Sequence, residues 1–270
     1  MGFLPYVLLV MVPGLVLSVW AAHRVKTTFA KWDKVDSGIS MNAFDFARYL
    51  LNGQGLNQVT VEPTPGSLTD HYDPRTRTLR ISTGVAHTAG RQSSPLGGPL
   101  GGGMGRGMGM PMGRGYAYGV STTAGDQPLN GRLSVAQVAV IAHEVGHAQQ
   151  HATHDPLMSL RQLVVPVAQI GSTLAPWLVI IGVFMRITNL AVLGLVFFAA
   201  AVAFTFITLP VEFGASRRAL AFVGPLGLTG ERGDGARAVL SAAGWTYVAA
   251  ALTALLTFLY YLTLVTGSRR

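Results

Sequence analysis

Four stretches of this sequence run the length of a bilayer without a charged side chain: residues 3–22, 163–185, 189–210 and 245–266. An α-helix needs about 20 consecutive apolar residues to cross a hydrocarbon core of about 30 Å. Each stretch is therefore expected to be a transmembrane helix. The alternative is a large soluble core, but only 12% of the residues are charged and 50% are hydrophobic. Soluble proteins carry about a quarter charged residues, so much of this surface should face lipid. Arg24, Lys26, Lys31 and Lys34 follow the first stretch, and no positive side chain lies in residues 1–5. That order fits an uncleaved anchor better than a signal peptide. Trp245 and Tyr247 lie at one end of the last stretch and Tyr260 and Tyr261 towards the other, as interfacial aromatics do.

If the four spans alternate in direction, Arg24, Lys26, Lys31, Lys34, Arg161, Arg217, Arg218, Arg232 and Arg237 fall on one side. Arg186, Arg269 and Arg270 fall on the other. By the positive-inside rule the polar region is expected in the cytoplasm and both termini outside. The expectation is an integral protein of the plasma (inner) membrane. The net charge of +8 is not gathered into an aromatic-interleaved basic cluster, so the bilayer, and no nucleic acid, is the expected partner. The absence of cysteine excludes a disulfide scaffold and a thiolate metal site.

The polar region spans 23–162. Residues 42–52 (NAFDFARYLLN) place Phe46, Tyr49 and Leu50 at helical spacing, with Gly53 as a stop. Val59 with Val61, and Leu79 with Ile81, mark two short strands. Thr69-Asp70-His71-Tyr72-Asp73-Pro74 between them reads as a turn. Residues 89–131 are rich in Gly and Met and cannot bury a core that offsets their ordering entropy. They are expected to form a disordered insertion, with a copper(I) thioether site as the other reading. Ser134 followed by Gln137 makes a capping-box start, and Val135, Val138, Ala139 and Ala142 continue as a helical stripe to about Thr153.

This last helix carries His143-Glu144-Val145-Gly146-His147, an H-E-x-x-H pattern. Residues four apart share a helical face, so both imidazoles can bind one Zn²⁺. Glu144 sits beside the metal without ligating it. It can act as the general base on a zinc-activated water, whose pKa falls to about 7. A catalytic zinc needs a third protein ligand. His151 continues the row but lies about 12 Å along the axis from His143, and His154 lies past a fraying point before Asp155-Pro156. Of the remaining glutamates, Glu62, Glu212 and Glu231, the best candidate is Glu212. It follows the third span directly, where a carboxylate is costly without a partner, and it falls on the same membrane face as the histidines. The bland alternative is an interfacial Glu212 paired with Arg217 or Arg218. Those arginines are also candidates for contacting the substrate carbonyl or anionic headgroups. Asp70, His71 and Asp73 form a polar group that is either a capped turn or part of a site, with His71 the best candidate for a catalytic role.

The segments AHEVGHAQQH, LPVEFGASRRAL, GWTYVAAALTALLTFLYYL and GSLTDHYDPRTRTLRIS, with PL-x-x-LR followed by VP, resemble the "putative neutral zinc metallopeptidase" family of YugP-like membrane proteins. The resemblance covers nearly the whole chain outside residues 89–131. It implies a gluzincin-like site in which His143, His147 and Glu212 ligate Zn²⁺ and Glu144 is the base. The chain departs from the family pattern at Gly214, where Asp or Asn is usual, and in its Gly/Met-rich insertion.

The expected fold is mainly α, with four transmembrane helices and a small α+β zincin-like catalytic domain. Residues 211–244 form a segment that brings in the third ligand. The expected function is zinc-dependent hydrolysis of peptide bonds in protein or peptide substrates, membrane proteins among them. The competing readings are a non-catalytic zinc-binding membrane scaffold and a metal-handling protein.

Overall fold

The computed structural model describes residues 3–87 and 132–267. The whole Gly/Met-rich segment, residues 89–131, lies outside them, and with it the expected disordered insertion and the copper(I) thioether reading. Helix α1 spans Leu4–Trp32 and includes a π-helical turn at Val7–Met11. α2 spans Ala43–Gly53, capped by the Asn42 side chain, which accepts the Asp45 N–H. Strands β1 (Thr60–Thr64), β2 (His71–Asp73) and β3 (Thr78–Ser82) are followed by the short α3 (Thr83–His87). α4 is Val135–Ala152, α5 Pro156–Phe184, α6 Thr188–Val223 and α7 Gly230–Gly267. The protein is mainly helical. Among the described residues, four helices, α1, α5, α6 and α7, are long and apolar enough to cross a membrane.

Those helices carry their apolar side chains outward. Leu163, Trp177, Phe184 and Val196 are well exposed, which suits lipid and not water. Small residues bring α5 and α6 together. A Cβ at Gly171 would collide with the Phe197 carbonyl, and one at Gly182 with the Ala191 backbone. Close backbone approach of this kind replaces the hydrophobic driving force that lipid does not provide.

The helices outrun the charge-free stretches. α5 begins at Pro156, seven residues before Leu163. α6 continues through Pro210 to Val223, so Glu212 stands on a helix long and apolar enough to cross a membrane and not on a connecting segment. α7 starts at Gly230, ahead of Trp245. The segment read as a turn at 69–74 contains a strand. The sheet has the order β1-β3-β2, with β1 parallel and β2 antiparallel to β3. On α2, Phe46 and Leu50 are buried as their spacing suggests, but Tyr49 is exposed.

α4 runs through the centre of the domain. Its capping box is complete: Ser134 accepts the Gln137 N–H and the Gln137 side chain accepts the Ser134 N–H. Ser134 Oγ also donates to Asp33 Oδ1 at 2.7 Å, tying the start of α4 to the end of α1. Val135, Val138, Ile141 and Val145 are fully buried against Phe46, Leu51, Leu79 and Ile81. The helix stops where His154 takes a left-handed φ of 51°. Asp155 then caps α5 by accepting the Leu157 and Met158 N–H groups.

Candidate metal centre

His143 and His147 sit one turn apart on α4, with ring centroids 4.8 Å apart and planes at 84°. Glu212 reaches them from α6 because the two helices cross unusually closely. A Cβ on Gly146 would lie 2.7 Å from the Ala215 carbonyl oxygen. The potential ligand atoms of His143, His147 and Glu212 lie within 4.8 Å of one another. Glu212 Oε2 is 3.3 Å from His143 Nε2 and 3.4 Å from His147 Nε2. A tetrahedral zinc with bonds of about 2.0–2.2 Å would hold such atoms about 3.3–3.5 Å apart. These separations are long for hydrogen bonds and right for two ligands of one ion.

Tautomer logic gives the same answer. The Val211 carbonyl can only accept, so the Gln150 Nε2 group at 2.9 Å faces it. Gln150 Oε1 therefore faces His147 Nδ1 at 2.9 Å, and that nitrogen must carry a proton. In neutral His147 the Nε2 lone pair is then aimed at a carboxylate oxygen. Two lone pairs face each other comfortably only across a cation. His143 Nδ1 is likewise held, by Ser216 Oγ at 3.2 Å. Outer partners of this kind fix ligand imidazoles in metal sites. The donor set of two imidazoles and one carboxylate therefore fits Zn²⁺.

Glu212 is only 2% exposed, so its charge must be matched. Its cationic partner is Arg161, from the first turns of α5, at 3.2 Å from Oε1. The contact is an ion pair without a well-directed hydrogen bond. Arg218 instead pairs with Asp155 at 3.1 Å. His151 is turned away from the group, its Nδ1 2.9 Å from the Tyr72 hydroxyl.

Glu144 accepts the Tyr72 backbone N–H through Oε2 at 2.9 Å. β2 is an edge strand, and this N–H is one that no neighbouring strand takes. Burial pushes the Glu144 carboxyl up to about 7. The Asp70 and Glu212 charges add to the rise, and His143 and the Tyr72 N–H oppose it. Asp70 accepts the Ser82 N–H at 2.8 Å and the Ser82 hydroxyl at 2.7 Å, and burial raises it as well. His71 is exposed. Its Nδ1 lies 2.8 Å from the Thr69 carbonyl, which can only accept, so this nitrogen carries the proton. Asp73 faces Arg80 Nη1 at 3.3 Å. A cavity of about 420 Å³ opens over these groups, lined by Asp70, His71, His143, Glu144, Arg161 and Tyr247 among others.

The sequence alone does not single out several of these groups. Arg161 reads there as a topology-setting charge and Tyr247 as an interfacial aromatic. Gln150 could have been found, since it lies three residues after His147 on the same helix face. It also accounts for Gly214: a Cβ there would stand 2.8 Å from Gln150 Nε2, so the glutamine fills the space that a side chain at 214 would need. Gln150→Leu removes the side-chain partner of His147 Nδ1 and the extra donor to the Val211 carbonyl. Zinc affinity should fall about 10–100-fold, measured by competition with a chromogenic chelator. An unchanged affinity would remove Gln150 from the site.

A family model described as "Putative neutral zinc metallopeptidase" matches residues 7–93 and 126–266. A protein of Bacillus subtilis (strain 168), described as "Putative membrane protease YugP", is 34% identical over 259 residues, covering 96% of each chain. No solved structure matches. Matched along most of its length by the family model and almost end to end by that relative, this membrane protein belongs to the "putative neutral zinc metallopeptidase" family.

Proposed function

We propose that the protein is a membrane-embedded zinc endopeptidase with a zincin-like site. His143, His147 and Glu212 would hold the metal, and Glu144 would act as general base. The observation that carries this reading is the position of Glu144. It is beside the three clustered ligands, held by the Tyr72 N–H, and on the wall of a cavity that can admit a peptide. A purely structural metal site has no use for a buried carboxylate kept off the metal.

A bound zinc supplies Lewis acidity at the scissile carbonyl and lowers the pKa of a water to about 7. The chain's own residues do the rest. Glu144 takes a proton from the attacking water as its oxygen bonds to the carbonyl carbon. It then delivers that proton to the amide nitrogen as the C–N bond breaks, so the carboxylate is restored. Gln150 and Ser216 keep the two imidazoles turned towards the cluster. Arg161 holds Oε1 of Glu212 so that Oε2 faces the histidines. His71, with Nδ1–H given to Thr69, presents Nε2 at the cavity rim, where it can contact the substrate.

The domain end of every membrane-crossing helix carries the basic residues, from Arg24 on α1 to Arg161, Arg217 and Arg232, whereas Arg186 lies at the far end of the α5–α6 hairpin. This supports a cytoplasmic site at the inner face of the plasma membrane. Glu212 belongs to a membrane-crossing helix, so substrates would be proteins at the bilayer surface, membrane proteins among them.

Removing the metal tests the reading. Dialysis of detergent-solubilised protein against a zinc chelator should abolish hydrolysis of casein or of a membrane-protein substrate. One equivalent of Zn²⁺ should restore it. Hydrolysis that survives complete zinc removal would refute the mechanism.

A further inference from the structure

A second cavity, of about 220 Å³, lies against the same catalytic row. It shares Asp70, His143, Glu144 and Tyr247 with the larger one, but its other walls come from different elements. Val25 and Phe29 enter from α1, Val140 from α4, and Val239, Leu240 and Ala243 from α7. Apart from the shared groups, no charged side chain among the described residues lines it. The wall of the larger cavity, in contrast, carries Asp73, Arg75, Arg161 and Gln162. Glu144 thus stands at the junction of a chamber with further charged groups on its walls and one without them.

Two further observations bear on the apolar chamber. It is smaller than the roughly 300–1,000 Å³ that holds a whole small ligand, so it suits one side chain. Its rim includes Leu68, held at a φ of +56°. That conformation is strained for a residue with a Cβ, and such outliers gather at ligand clamps. The surrounding turn is pinned by the Gly84 N–H to the Gly66 carbonyl at 2.8 Å and by the Thr69 hydroxyl to the Pro65 carbonyl at 2.9 Å.

We infer that the smaller cavity is the specificity pocket of the enzyme. It takes a large apolar side chain, of the Leu, Met or Phe class, from a residue next to the scissile bond. This rests on the peptidase reading. A peptide laid across Glu144 would send the side chains on either side of its reacting carbonyl into the two chambers, and the smaller one is the chamber whose remaining walls, among the described residues, carry no charge. Because α1 and α7 form most of that wall, the pocket lies at the membrane boundary, where segments leaving the bilayer present such side chains.

The test is cleavage-site profiling by mass spectrometry. The full-length protein in detergent digests equal-length peptides that vary at single positions. The wild type should cut beside Leu, Met or Phe. Ala243→Phe, which fills the pocket, should lower kcat/KM for a Phe peptide relative to its Ala counterpart by about tenfold or more. Leu240→Ala, which enlarges it, should extend cleavage to Trp. If Ala243→Phe does not fold, the Leu240→Ala profile decides alone. Cleavage without an apolar preference, or a preference that neither variant moves, overturns the pocket and leaves the peptidase reading standing. A wild type loaded with zinc that cuts neither the peptides nor casein sinks both.

Discussion

Glu144→Gln should lower peptide hydrolysis by about 10²–10⁴-fold, the usual contribution of a positioned general base, while zinc content stays at the wild-type level. Glutamine keeps the size and shape of the side chain, and its amide oxygen can still accept the Tyr72 N–H that Glu144 accepts at 2.9 Å. It cannot take a proton from water. The variant therefore separates proton transfer from folding and from metal binding. Turnover of casein and elemental analysis on the same preparation check it. Equal turnover in wild type and variant would exclude Glu144 as the base and return the chain to the scaffold reading.

Gly146→Val should cost about 10² in activity, of the order expected for a misplacement near 1 Å, together with zinc affinity and some stability. The new Cβ would lie 2.7 Å from the Ala215 carbonyl oxygen and 3.2 Å from the Ala215 carbonyl carbon and Cα. All three are backbone atoms of α6, so no side chain can swing aside. α4 and α6 must part, and the separation falls on the very crossing that brings Glu212 to His143 and His147. Overpacking of this kind costs typically 1–3 kcal/mol. Gly146→Ala should act in the same direction but more weakly. Chelator competition and a thermal melt of the two variants check this. Wild-type zinc affinity in Gly146→Val would mean that the close crossing does not set the ligand geometry.

The parts of this protein that were legible in the sequence are those encoded locally. Ser134 and Gln137 announce the start of α4. His143 and His147 announce a shared face, and charge-free stretches announce helices long and apolar enough to cross a membrane. Glu212 was reachable because a carboxylate beside an apolar span demands a partner. β2 was not legible. Three residues bounded by Asp70 and Pro74 carry turn chemistry, and only pairing with β3, with Tyr72 opposite Leu79, makes them a strand. α6 was not expected to continue past Pro210, where the charge-free stretch ends shortly before Glu212; Pro210 stands inside the helix and frees one carbonyl of the preceding turn. Inside a membrane-crossing helix, neighbouring groups can satisfy the freed carbonyl. Tyr49 fits the helical period of α2 but falls just off the buried face, which the neighbours decide. Arg161 and Tyr247 are far from the motif in sequence, and only the packing of α5 and α7 brings them to it.

The proposed site takes one ion between residues of two helices, His143 and His147 on α4 and Glu212 on α6. The most direct measurement is the zinc content of the purified wild type beside Glu212→Ala, each equilibrated with the same limiting chelator. One zinc per chain in the wild type and little or none in the variant is the predicted result. A variant that keeps its zinc as tightly as the wild type would contradict it.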